Sequence, residues 1–241
     1  MKLIEEFTIP SYLTDSSRKL SPASTLAVAQ DLSYKGGDEL GIGDKEMSTR
    51  GLAWVLCRAR FMVKRAPEMF ERVILETWHK GLSGPYFIRN YRIRDTAGRE
   101  LVKVTSSCVL IDLKTRTLTR IDHIPGIDWP DPGCGECTFD VPAEKIRIPQ
   151  GEYDSGEVAH TIEYTDTDFV GHTNNTNYLK WAMDCEALNG GMLHPGDVTV
   201  NYIHETSVGD RITFRRMFSD GVSYLIGVVN GSCVMTVKLT C

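Results

Sequence analysis

The run Tyr164-Thr-Asp-Thr-Asp168-Phe-Val-Gly171-His172-Thr173-Asn174-Asn175-Thr-Asn-Tyr178 holds the densest set of chemically able side chains in the chain. Asp168 and His172 are the types that act as a general base, orient a water, or hold and shuttle a proton. Gly171 permits close backbone approach between them. The run leads into an apolar pattern of helical spacing. It therefore ends where unpaired N–H groups and the positive end of a helix dipole can stabilise charge developing on a carbonyl oxygen. No Gly-x-Ser-x-Gly elbow is present, so a serine triad is unsupported. No Cys/His/carboxylate spacing calls for a metal, and no cofactor is expected. Asp, Thr and Asn are also ordinary loop and capping residues. Asp166 reads that way, and Asn174 or Thr173 reads as a helix cap.

The elements that must position this run form one pattern used twice, in structure rather than in residue identity. The first copy predicts a strand at Phe7 to Leu13. A helix follows, opened by Ser21-Pro22 and stopped by Gly36-Gly37. Strands are predicted at Trp54 to Lys64, Val73 to Lys80, Tyr86 to Arg94 and Leu101 to Leu113, with a hairpin turn at Asp95 to Gly98. In the first of these, Val55, Cys57, Ala59, Phe61 and Val63 share a face. The second copy predicts a strand at Val158 to Tyr164 and a helix from Asn175, with Tyr178, Trp181, Ala182, Cys185 and Leu188 at helical spacing and a stop at Gly190-Gly191. Strands follow at Asp197 to Glu205, Arg211 to Phe218, Ser223 to Val229 and Ser232 to Leu239. The fold class is thus α+β, with halves at 1–125 and 157–241 and a Pro/Gly/Asp-rich connecting segment at 126–156. Joined edge to edge, the halves would make one continuous antiparallel sheet.

The formal net charge is -5, which argues against a nucleic-acid partner. No stretch approaches the length of a membrane span, and Met1 to Pro10 lacks the apolar core of a secretory signal. Seven cysteines with scattered spacing suit free thiols in the cytoplasm. Cys134-Gly-Glu-Cys137 is an isolated CxxC and reads as a loop with two incidental cysteines.

The run from Asp168 to Asn175, followed by Tyr178 and an apolar helix, resembles the active-site stretch of acyl-acyl carrier protein thioesterases, double hotdog proteins of plants and bacteria. The resemblance covers nearly the whole chain. It includes Leu20-Ser-Pro22, Leu40-Gly41, Gly51-Leu-Ala-Trp54-Val-Leu-Cys-Arg58 and Arg65-Ala-Pro67. It continues through Glu76-Thr-Trp78-His-Lys-Gly81, Arg89-Asn-Tyr91, Val109-Leu-Ile-Asp112 with Arg116, and Val200-Asn-Tyr202-Ile-His-Glu205-Thr-Ser-Val-Gly209-Asp210. It implies two tandem hotdog folds, each a long helix wrapped by an antiparallel sheet. It also implies hydrolysis of acyl-acyl carrier protein to a free fatty acid and carrier thiol.

Carried across, Asp168 and His172 take the places of the family's catalytic aspartate and histidine. Glu205 takes that of the glutamate that activates water. Gly171, Thr173, Asn174 and Asn175 would hold the thioester, and Trp54 would line the acyl-chain pocket of the first half. The chain departs from the plant pattern at Val170, where an Asn is usual, and at Thr206, where a Cys is usual, so a water-based mechanism fits. By strand alternation Glu205 shares a face with Ile203 and Asn201. The expected partners are acyl carrier protein and its fatty acyl thioester, with a homodimer as one candidate assembly. An acidic carrier calls for a basic patch, either Arg58, Arg60, Lys64 and Arg65 or Arg211, Arg215 and Arg216. Three alternatives stay open: an acyl-coenzyme A thioesterase, a hotdog-type hydratase or dehydratase, and a non-catalytic acyl-binding module.

Overall fold

The computed structural model describes residues 2–121, 124 and 135–241. Cys134 lies outside them. The chain divides into two compact units, Met1–Leu20 with Ala27–Ala143, and Ser21–Leu26 with Glu144–Cys241.

The first unit runs β1 (Lys2–Thr8), α1 (Pro22–Glu39, of which Pro22–Leu26 fall in the second unit), α2 (Asp44–Thr49), β2 (Leu52–Val63), β3 (Arg72–Ser83), β4 (Tyr86–Asp95), β5 (Glu100–Asp112) and β6 (Leu118–Thr119). Its antiparallel strands pair in the order β1-β3-β4-β5-β2, with β6 on β5. The second runs β7 (Glu157–Thr161), α3 (Asn175–Leu188), β8 (Asp197–Tyr202), β9 (Arg211–Ser219), β10 (Val222–Val229) and β11 (Ser232–Thr240). Its order is β7-β9-β10-β11-β8, again antiparallel. In both units the sheet is therefore first, third, fourth, fifth, second strand. The repeat expected from spacing is present as topology.

In the second unit α3 starts where its cap is encoded. Asn174 Oδ1 accepts from Thr176 N at 3.0 Å, and the helix then buries Tyr178, Leu179, Trp181, Ala182 and Cys185 on one face. Ile212, Phe214, Leu225, Met235 and Val237 of the sheet are fully buried. The helix ends at Asn189, whose Nδ2 donates to Cys185 O, and at Gly190 with φ +66°.

Several expectations need correction. The double glycine does not stop α1, which continues to Glu39. Gly36 and Gly37 serve close approach instead: a Cβ at 36 would sit 2.4 Å from Arg89 Nη1, and one at 37 would sit 3.3 Å from Gly43 Cα. β1 lies earlier than expected. Pro10 offers no N–H to a ladder, and Ser11–Leu13 form a 3-10 turn. In β2 the register shifts between Leu56 and Arg58. That bulge at Cys57 breaks the single face expected from Val55 to Val63. β8 stops at Tyr202 because the N–H groups of Ile203 and His204 both turn to Val234 O, so Glu205 lies on a loop and has no strand face. Short α2 was not foreseen. The hairpin at Asp95 is as expected, with Oδ1 accepting from Ala97 N and Arg99 N and Gly98 at φ +83°.

Candidate active site

The loop between β7 and α3 is folded by one carboxylate. Asp168 Oδ1 accepts from the backbone N–H of Val170 at 2.9 Å and of His172 at 3.2 Å. Its own N–H donates to His172 O at 2.8 Å, and Gly171 N donates to Asp168 O at 3.0 Å. Gly171 takes φ +89° at the tip, and Thr167 and Thr173 bridge the base. This is an aspartate hydrogen-bonding its own downstream backbone to set a tight turn. His172 is carried by that turn, half-buried.

The second loop, 203–210, follows β8. Ser207 N donates to Asp210 Oδ2 at 2.8 Å, and Gly209, at φ +93°, donates to Ile162 O at 2.9 Å. Asp210 in turn accepts from its carbonyl side: Ile162 N donates to Asp210 O at 2.9 Å. The two loops meet. Glu205 Oε2 lies 3.7 Å from His172 Nε2, beyond direct hydrogen-bond length but within charge-pair range. Directly behind this pair, Thr173 Oγ1 lies 2.8 Å from Thr206 Oγ1 and donates to Thr206 O at 3.1 Å. Tyr178 OH, from the first turn of α3, lies 2.6 Å from Thr206 Oγ1. Burial, and further down the order the Glu205 charge, push the Tyr178 phenol up. Sequence reasoning did not find this hydroxyl cluster. Its only trace was that each threonine follows one of the charged residues.

The remaining expected residues divide. Asn174 acts as the cap, and its Oδ1 is taken by Thr176 N and Oγ1. The Asn175 carbonyl accepts from Tyr202 OH at 2.8 Å. The backbone N–H groups from Val170 to Asn174 each already donate within the loops, Thr173 N to Thr206 O at 3.4 Å and Asn174 N to Asp166 O at 2.8 Å. Each thus has an acceptor within the protein. Asp166 is more than a generic loop residue. Its Oδ2 lies 2.7 Å from His160 Nε2, and His160 stacks on Trp181 at 4.3 Å. Burial pushes the Asp166 carboxyl up, but the Glu163 N–H and His160 outweigh it and hold it below its ordinary value.

Trp54 sits in the first unit. Its Nε1 donates to Ile42 O at 2.8 Å, its ring lies 5.2 Å from Phe87, and it packs against a cluster of Ile42, Met47, Leu52, Phe87, Leu110 and Ile121.

Most members of the two arginine sets are engaged within the protein. Arg65 clasps Glu71 through two bonds, Lys64 pairs with Glu100, Arg215 with Glu157, and Arg216 with Asp154. Arg58 reaches Tyr86 OH and Ala143 O, and Arg60 lies over Phe139.

Residues 1–124 match the model of the acyl-ACP thioesterase N-terminal domain, and residues 152–232 match that of the acyl-ACP thioesterase C-terminal domain. Among curated relatives, a chloroplastic dodecanoyl-[acyl-carrier-protein] hydrolase of Cinnamomum camphora is 28% identical over 96% of this chain. The chain spans 65% of that relative's length. Among solved structures, the 12:0-ACP thioesterase of Umbellularia californica aligns over 99% of this chain and 96% of its own, at 25% identity and a TM-score of 0.80. An acyl-ACP thioesterase from Bacteroides thetaiotaomicron aligns over 99% and 97%, at 19% identity and the same TM-score of 0.80, a likeness of fold. Each unit is thus a hotdog fold, a long helix with an antiparallel sheet, and the two stand in tandem in one chain. Both halves of the sequence match, in order, the two domains of one family, and this chain belongs to the acyl-ACP thioesterases.

Proposed function

We propose that the chain hydrolyses the thioester of acyl-acyl carrier protein in fatty acid biosynthesis, releasing a free fatty acid and the carrier thiol. The observation that carries this reading is the 3.7 Å between His172 Nε2 and Glu205 Oε2 at the start of α3. Glu205 takes a proton from a water molecule, and the water oxygen forms the new bond to the acyl carbon. The carbonyl oxygen becomes an oxyanion and meets the N–H of Asn175, which as the first helical residue has no intrahelical acceptor. Collapse restores the carbonyl and breaks the carbon–sulfur bond. A thiol has an ordinary pKa of ~8.5, so the thiolate departs readily. His172 orients the water and passes to the leaving sulfur the proton that Glu205 took, so that both side chains return to their starting states. Asp168 acts by holding the loop that presents His172, while Gly171, Thr173 and Asn174 shape the surface against which the thioester lies.

In this reading residues 1–125 receive the acyl chain, with Trp54 in the wall of its pocket. Residues 126–156 connect, and 157–241 carry the chemistry. The carrier is acyl carrier protein, as in the names of the relatives. Six cysteines of the described residues are unpaired. Together with the free-thiol composition this supports a reducing compartment, the cytoplasm, although the curated relative is chloroplastic.

The test is steady-state release of thiol from saturated acyl chains on acyl carrier protein and on coenzyme A, with Glu205→Gln as control. The expected outcome is faster turnover on the carrier protein and a kcat lowered about 10²–10⁴-fold in the variant. Tight binding without thiol release would overturn the enzyme reading. Preference for coenzyme A would overturn the carrier assignment alone.

A further inference from the structure

We infer that Tyr178, Thr206 and Thr173 form a buried hydroxyl chain that sets the separation of Glu205 from His172, making all three positioning residues for the reaction. The inference rests on the thioesterase reading above and adds Tyr178 and Thr206, which that reading does not use, and a second role for Thr173.

A proton arrangement running from Tyr178 through Thr206 to Thr173 satisfies every buried hydroxyl. Thr173 Oγ1 donates to the Thr206 carbonyl at 3.1 Å. Its single proton is thereby used, so at the 2.8 Å contact Thr206 Oγ1 must donate to Thr173 Oγ1. Thr206 Oγ1 then has only lone pairs left, and at 2.6 Å Tyr178 OH donates to it. Thr173 also lies within hydrogen-bonding range of the phenol, so the three hydroxyls form one connected cluster. Tyr178, Thr206 and Thr173 are 3%, 2% and 4% exposed, so water does not substitute. Burial keeps the phenol protonated and able to donate. Thr206 follows Glu205 and Thr173 follows His172. The chain therefore staples the two loops one residue behind the reacting pair and anchors both to the first turn of α3.

The first unit supplies an internal control. There the equivalent backbone contact joins Leu20 N to Pro67 O at 2.8 Å. The same two-loop junction is thus made with side chains that have no hydroxyl at all. The fold does not require the hydroxyl chain. It occurs in the half that carries His172 and Glu205.

The experiment measures kcat, KM and Tm of Thr206→Ser, Thr206→Val and Tyr178→Phe beside wild type and Glu205→Gln on one acyl carrier protein thioester. Thr206→Ser keeps the chain and should hold kcat within about threefold of wild type. Thr206→Val keeps the shape and removes the relay. It should lower kcat about 10–100-fold, the scale of a small misplacement of reacting groups, with KM within about twofold. Tyr178→Phe removes only the first donor and should cost about 3–10-fold in kcat, one hydrogen bond's worth. If Thr206→Val fails to fold, the Tyr178→Phe and Thr206→Ser pair decides on the same criteria. Valine and phenylalanine variants that lose Tm but keep kcat within twofold would overturn the proposal, since the hydroxyls would then only fasten the fold. A wild type that releases no thiol would overturn the thioesterase reading and this inference with it. An active wild type with slow Glu205→Gln and fast Thr206→Val would overturn the inference alone.

Discussion

The loop before α1 and the loop before α3 are the same object built twice. Asp15 N donates to Lys19 O at 2.9 Å and Arg18 N to Asp15 O at 2.9 Å, as Asp168 N does to His172 O at 2.8 Å and Gly171 N to Asp168 O at 3.0 Å. Asp15 Oδ1 accepts from Ser17 N and Lys19 N, as Asp168 Oδ1 does from Val170 N and His172 N. Thr14 bridges Leu20 where Thr167 bridges Thr173. The facing loops repeat too. Glu68 N donates to Glu71 Oε2 at 2.9 Å and Ile9 N to Glu71 O at 3.0 Å, matching Ser207 N, Ile162 N and Asp210. What differs is the cargo. Lys19, Ala66 and Pro67 stand where His172, Glu205 and Thr206 stand. The shared bonds are what the fold needs, and in the proposed reading the unshared side chains serve the chemistry. By this division we propose that Asp168 acts through the scaffold, because its twin Asp15 makes the same bonds in a half that has neither the imidazole nor the glutamate.

The largest effect expected is at the unshared residues. Glu205→Gln and His172→Gln should each lower kcat about 10²–10⁴-fold, while Lys19→Gln, at the twin position, should leave kcat unchanged. Equal losses at Lys19 and His172 would break the comparison. The scaffold residues come next. Asp15→Ala and Asp168→Ala each orphan backbone N–H groups and should cost similar stability, about 1–2 kcal/mol by urea unfolding. Only Asp168→Ala should also lower kcat, because only that loop carries the imidazole. The smallest effect is at Glu71. The two bonds from Arg65 hold its carboxyl below the ordinary value of 4.5. A carboxyl with a depressed folded-state pKa adds stability that is present above 4.5 and is lost as pH falls through the lower folded value. Glu71→Gln should therefore cost about 1 kcal/mol or less at pH 7, and the gap to wild type should close at strongly acidic pH.

Much of this was legible in the sequence because it is local. The α3 cap, its buried face and most strands follow from periodicity and turn residues, and the two-copy pattern follows from their order. The repeat was read as structural only, yet Thr14-Asp15 and Thr167-Asp168 are the same dipeptide in the same turn. Two residues are too short a match to stand out, and their equivalence rests on hydrogen bonds. The end of β8 was misplaced because it is decided by Val234 on another strand, not by the residues from Val198 to Glu205. The Tyr178–Thr206–Thr173 chain joins positions 28 and 33 apart in sequence, a distance over which spacing carries no information. Gly36 and Gly37 read as a helix stop because the reason for them, Arg89 and Gly43, lies elsewhere in the chain.

The tip of the His172 turn has a further consequence. Its twin in the first unit places Arg18 in the same left-handed region, at φ +62° against +89° for Gly171. The bend can thus be made by a residue with a full side chain, at the modest strain such a conformation carries. Glycine at 171 makes the bend at a wider positive φ, which a side chain would strain, and it has a second effect. A Cβ at that position would meet no protein atom within 4 Å, so what its hydrogen leaves bare is the outward side of the turn, which in the proposed reading is an uncluttered threshold next to the imidazole for a bulky carrier-borne substrate.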